Sequence, residues 1–90
     1  MTTLTLTDQA AALVKAGVSL ERRLLEISRQ EYGQRLAGLE ERHGMTTRRF
    51  LHRFNTGKLD DRETWFDWLF AHQAYAELSR RLTILRGIRL

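Results

Sequence analysis

Three histidines, His43, His52 and His72, and eleven carboxylates are the side chains here that could hold a metal ion or move a proton. None of the histidines sits at an i, i+4 spacing from another ligand, and there is no cysteine to supply thiolate. A metal centre is therefore not expected. The paired acids Glu40–Glu41 and Asp60–Asp61 read as solvated faces and helix caps, not as acid/base machinery. No glycine-rich phosphate loop and no nucleophile elbow occur. The expectation is a protein that binds and does not catalyse, with no cofactor and no small-molecule substrate.

Charge is the second chemical resource. Residues 1–45 carry six basic and six acidic side chains, and residues 46–90 carry nine and five. The whole net charge of +4 thus lies in the second half. Within it, a basic stretch (Arg48, Arg49, Arg53, Lys58) precedes an acidic one (Asp60, Asp61, Glu63, Asp67), and Arg80, Arg81, Arg86 and Arg89 follow. Such a distribution is compatible with nucleic-acid contact, mostly to phosphates. Many small proteins are mildly basic without binding it.

The elements that must carry these side chains can be read from periodicity. TTLTLT over residues 2–7 alternates, with Leu4 and Leu6 on one side and Thr3, Thr5 and Thr7 on the other, which predicts a short strand. A lone strand is unstable, so it is expected to pair with the same strand of a second copy. Asp8 can cap a helix over about 9–16 that Gly17 ends, and Ser19 a longer one over 19–43 that stops at Gly44. Gly33 and Gly38 each weaken that helix by about 1 kcal/mol relative to Ala, so a kink or an end near Gly33 is an open alternative. Thr46 or Thr47 begins a short helix over about 47–55, with Phe50, Leu51 and Phe54 on its apolar side and Gly57 after it.

The last helix, over about 61–86, starts at Asp60, whose spacing to Glu63 fits a capping box. Trp68, Ala71, Tyr75, Leu78, Leu82 and Leu85 repeat at alternating steps of three and four, the seam of a helix packed along another. Trp65, Phe66, Leu69 and Phe70 lie off that seam. The helix start is thus apolar nearly all round and must be covered on more than one side. The short helix can cover one side, and a partner protein is expected on the remainder, since Trp and Tyr are enriched at interface centres. The alternative is that all four fill a small core.

Ninety residues make a single small domain or a module with an extension. A chain this size buries only roughly 60–65% of its unfolded surface, too little for a deep pocket. No window approaches the roughly 20 apolar residues of a membrane span. The stretch MTTLTLTDQAAALVKAG lacks the basic start and apolar run of a signal peptide. With no cysteine, the expected setting is the cytoplasm.

Two stretches resemble known families. The order TTLTLT, short helix, GVS, LERRLLEISRQEY resembles the ribbon-helix-helix DNA-binding fold over about residues 2–36. That resemblance implies a homodimer whose paired strands enter the major groove. It would place Thr3, Thr5 and Thr7 towards the bases and Ser19 at a helix start on a phosphate. HGMTTRRFLHRFNTGKLDDRETWFDW resembles a segment of small bacterial and archaeal antitoxins, with a G-M-[ST] start, F-x-x-x-F, G-x-L, two acids and an aromatic-rich stretch. Here these are Gly44-Met45-Thr46, Phe50 and Phe54, Gly57 and Leu59, Asp60 and Asp61, and Phe66 with Trp68. The implied partner is a cognate toxin. The same basic helix followed by N-x-G-K also resembles the end of a helix-turn-helix unit, in which Arg48, Arg49, His52, Arg53 and Lys58 would contact DNA.

Together these predict a mainly α protein: a short N-terminal strand (2–7) and four helices, with a ribbon-helix-helix-like N-terminal half and a helical C-terminal extension. Residues 1–44 would dimerise and contact operator DNA, and residues 45–90 would bind the partner. The expected function is an antitoxin that neutralises a toxin through Phe50, Phe54, Leu59, Trp65, Phe66, Trp68, Leu69, Phe70 and Tyr75, and represses its own operon as a dimer. The alternatives are a stand-alone DNA-binding regulator and a helical scaffold or adaptor subunit.

Overall fold

A computed structural model describes residues 7–89. Among the described residues there are three helices and no strand: α1 (Asp8–His43), α2 (Thr47–Asn55) and α3 (Glu63–Arg86). The expectation of four helices behind a strand is corrected accordingly. Residues 2–6 of that strand lie outside the described residues. Thr7, its last residue, is the N-cap of α1, its hydroxyl accepting from the Ala10 N–H at 3.1 Å.

The helices expected over 9–16 and 19–43 are one helix of 36 residues. Gly17 does not end anything. It sits in the helix interior with open space around its Cα, and among the described residues positive φ occurs only at Gly44 and Gly57. The balance is simple. Gly inside a helix costs about 1 kcal/mol relative to Ala, whereas a break exposes four more N–H and four more C=O groups that need other partners. Good helix formers on both sides (AALVKA and LERRLLEIS) tip it towards continuity. Among the described residues there is no turn at Gly17-Val18-Ser19 to separate two helices as the expected architecture requires, and Ser19 is an exposed mid-helix residue rather than a helix start.

α1 ends where the left-handed Gly44 (φ 63°) sends its N–H back to the Glu40 carbonyl. Glu40 also caps α2 from outside, its carboxylate accepting the Thr47 N–H at 2.7 Å. Thr46 supplies the N-cap, accepting from Arg49 N–H at 3.1 Å. α2 closes at Thr56, and Gly57 (φ 68°) takes the turn that L-residues resist. α3 begins at Glu63 without a side-chain cap. The capping box expected from Asp60 and Glu63 does not form, because the Asp60 carboxylate is taken by the Trp65 indole N–H (2.7 Å) and the Arg62 guanidinium (2.9 Å).

α3 runs back antiparallel along α1. Its successive rungs are His43 against Trp65 and Trp68, Gly33 beneath the Tyr75 ring, Arg29 donating to Ser79 at 2.7 Å, and Arg86 near Glu26. α1 and α3, which fall in the parts expected over 1–44 and 45–90, are therefore the two arms of one hairpin. Gly33 weakens α1 in principle but does not end it. A Cβ there would lie 3.3 Å from Tyr75 Cε2, so its absence is what admits the ring. Trp68, Ala71 and Leu82 of the three-four seam are buried, and Tyr75, Leu78 and Leu85 are half-buried. α2 closes the open end of the hairpin, where Phe50, Trp65 and Trp68 form the core with Leu36, Leu39, Met45, Leu51, Phe54, Leu59 and Leu69 around them. At the other end, α1 projects beyond α3: no hydrogen bond, ion pair or ring contact joins residues 8–20 to α3. The resulting body is 57 × 29 × 19 Å, its length close to the about 54 Å of a 36-residue helix.

Candidate partner-binding surface

Of the aromatic residues expected to face a partner, three are already covered by this chain. Phe50 and Trp68 are fully buried and Trp65 is 6% exposed. Phe50 stacks on Trp68, His43 lies against both tryptophans, and the Trp68 indole donates to the Thr47 hydroxyl at 3.0 Å. These three rings thus fill a small core. Phe54, Leu59, Leu69 and Tyr75 are half-buried around it. Only Phe66 and Phe70 remain largely outside, at 55% and 58% exposure.

These two rings are one turn apart on α3 and extend onto neighbouring elements. Phe66 meets Phe54 of α2 edge-on (5.7 Å), and Phe70 meets Tyr32 of α1 edge-on (6.1 Å). Beside Phe70 a shallow groove of about 400 Å³ runs between α1 and α3, floored by Gly38, Leu39 and Ala71 and edged by Arg35, Arg42 and Asp67. The Arg35 guanidinium lies 5.0 Å from the Tyr32 ring. Neither Arg35 nor Arg42 is in an ion pair among the described residues. The groove offers apolar contact with two arginines and one aspartate at its rim. Sequence reading missed Tyr32, Arg35 and Arg42. The available signal was their recurrence at steps of three and seven on α1, the helix that the heptad of α3 had to lie against.

The expected DNA contacts separate into two groups. Thr3 and Thr5 lie outside the described residues, Thr7 caps α1, and Ser19 is in mid-helix. Arg48, Arg49 and Lys58 share the outer side of α2 and its following turn, all exposed, with exposed His52 between them and Arg53 half-buried. Arg48, Arg49, Arg53 and Lys58 are in no ion pair among the described residues. The arrangement follows from α2 being strongly two-faced: Phe50, Leu51 and Phe54 turn inwards and the bases turn out.

Two carboxylates are held by neighbouring side chains on α3 and the turn before it. Hydrogen bonding to Trp65, aided by Arg62, holds the Asp60 carboxyl below its usual range. Arg80 and Arg81 hold Glu77 down at about 2. No group of three or more His, Asp or Glu among the described residues is placed to hold a metal ion, and no described helix is long and apolar enough to cross a membrane. Compared with protein-family profiles, with curated proteins and with solved structures, the chain has no match.

Proposed function

We propose that this protein is an antitoxin-type binding module that captures a toxin on the face formed by Tyr32, Arg35, Arg42, Phe66 and Phe70. The observation that carries the proposal is the pair of phenylalanines left more than half exposed on α3, beside a groove edged by Arg35, Arg42 and Asp67, in which neither arginine is in an ion pair among the described residues. Contiguous exposed aromatic surface with a polar rim is how interaction sites differ from ordinary surface. The chemistry fits a partner with an apolar ridge flanked by carboxylates. The toxin class rests on the resemblance of HGMTTRRFLHRFNTGKLDDRETWFDW, and the surface rests on burial: a partner can use Phe66 and Phe70 without dismantling the core, but not Trp65 or Trp68.

The test is a tagged pull-down from native cells with a nuclease wash, followed by mass spectrometry. A small protein recovered in near-equal amount and encoded next door is expected. Phe70→Ala should release it while leaving the melting temperature within a degree or two. Retention of the partner by Phe66→Ala/Phe70→Ala would overturn this face as the site.

A second reading is favoured by one observation, the unneutralised bases Arg48, Arg49 and Lys58 on the outer side of α2. In that reading the protein is a regulator that touches DNA phosphates. Binding to its own promoter should then weaken steeply with salt, because each phosphate contact releases counterions. Phe70→Ala would leave such binding unchanged, and Arg48→Ala/Arg49→Ala would reduce it.

A further inference from the structure

From its projecting arm to Ile27, α1 carries a second apolar face that neither α3 nor the proposed toxin surface uses. Leu13, Leu20, Leu24 and Ile27 are 74%, 58%, 51% and 51% exposed. With Ala10 and Gly17 they repeat at steps of 3, 4, 3, 4 and 3, which places them in one stripe. At 100° per residue the stripe lies nearly opposite the side bearing Leu25, Arg29, Gly33 and Leu36, which packs on α3. α3 therefore cannot cover it. A single solvated helical arm of this length is marginal by itself.

We propose that the stripe is the interface of a homodimer in which two α1 arms pack antiparallel. The occupant follows from self-complementarity. In one antiparallel register, Ala10 meets Ile27 of the second copy, Leu13 meets Leu24, and Gly17 meets Leu20, each layer then repeating by the two-fold axis. Every large side chain faces a smaller or equal one, and the helix without a side chain at Gly17 admits Leu20. Shifting the register by a heptad towards α3 brings Glu31 into a layer with Leu13. A parallel pair sets Gly17 against Gly17, which leaves a void, and Glu31 against Glu31 one step past Ile27.

Charge and shape at the flanks agree. Glu21 and Arg23 border the stripe on opposite sides, and the antiparallel register puts Val14 and Ala16 of the second copy beside them, so no like charges meet directly. Glu21 also edges a hollow of about 200 Å³ formed with Leu25, Arg81, Ile84 and Leu85. Val14 of the second copy, 41% exposed in the single chain, falls over that hollow and would cover Ile84, itself 54% exposed. The overlap spans residues 8–27 of each chain, about 30 Å of helix.

This inference does not rest on the antitoxin reading, and its test uses the purified chain alone. Sedimentation equilibrium should show a dimer, and Leu20→Glu should raise its dissociation constant by about 100-fold or more, because a charge enters an apolar layer. The fluorescence of Trp65 and Trp68, at the far end of the hairpin, should stay unchanged, which separates dissociation from unfolding. As the protein has no cysteine, orientation is readable by oxidation. A mixture of Leu13→Cys and Leu24→Cys chains should cross-link to each other, and Leu13→Cys alone should not. A wild-type monomer at all concentrations, a Leu20→Glu dimer of undiminished affinity, or self-cross-linking of Leu13→Cys would each overturn the proposal.

Discussion

The rings of Phe50 and Trp68 are parallel to within 1°, with centroids 4.3 Å apart, and both side chains are fully buried. This stack is the most buried of the contacts that fix α2 to the hairpin. α2 has only nine residues, too few to be stable alone, so its order depends on tertiary contact. Trp68→Ala should therefore destabilise the fold by about 3–5 kcal/mol. Thr47→Val should cost only about 1 kcal/mol, since it removes one hydrogen bond to the indole and leaves the stack. Urea unfolding followed by circular dichroism reads both, and a larger effect from Thr47→Val would mean that the stack is not the main fastening.

Asp60 ties the acidic turn to the same core, accepting from the Trp65 indole N–H and from Arg62. Its folded carboxyl titrates below the ordinary range, chiefly because of the bond to Trp65. The sign follows: the bond contributes stability above the pKa of the unfolded carboxyl, and that contribution is lost as pH falls through the lowered folded value. Acidification below about pH 4 should loosen the loop at residues 58–62 and shift Trp65 emission. Asp60→Ala should show the shifted emission already at neutral pH. Equal pH profiles for the two proteins would show that another group governs the change.

The glycines of α1 give opposite expectations. Gly17 is helical with no atom near its missing Cβ, so Gly17→Ala should raise helix content and stability by up to about 1 kcal/mol. Gly44 holds φ at 63°, where an L-residue is strained, so Gly44→Ala should cost about 1–2 kcal/mol. Thermal melts decide it. A destabilised Gly17→Ala protein would restore the turn that its sequence context suggested.

That contrast also shows how far the sequence could be read. Gly44 and Gly57 end helices as expected because Thr46 and the N-T-G turn give the chain something to do next. Gly17 looks the same locally, and only the competition between one glycine penalty and a whole set of unpaired backbone groups separates the cases. The heptad of α3 was legible because its period alone places Trp68, Ala71 and Leu82 on one side. The division of the aromatics was not. Periodicity says that Trp65, Phe66 and Phe70 leave the seam, but which of them α2 covers depends on the angle at which the loop at Lys58–Arg62 delivers α3. Asp60 sets part of that angle by holding Trp65 inward, a bond with no sequence signature. The groove at Arg35 and Arg42 was hidden for a related reason, since it exists only once α3 has chosen its side of α1.

The close approach of α1 and α3 makes the last expectation. A Cβ on Gly33 would stand 3.3 Å from the Tyr75 ring, whereas one on Gly38 would meet nothing within 4 Å. Both glycines lie inside α1, so both alanine variants gain the same helix preference of about 1 kcal/mol. Only Gly33→Ala must also move a ring, and the Arg29 guanidinium lies 4.6 Å from that ring's centroid, with Arg29 itself bonded to Ser79. Overpacking of this kind costs about 1–3 kcal/mol, enough to cancel or reverse the gain. Gly38→Ala should therefore melt higher than the parent and Gly33→Ala no higher than it, with Gly33→Leu well below both. If Gly33→Ala melted as high as Gly38→Ala, the ring would be yielding freely, and Tyr75 would not be setting the spacing of the hairpin.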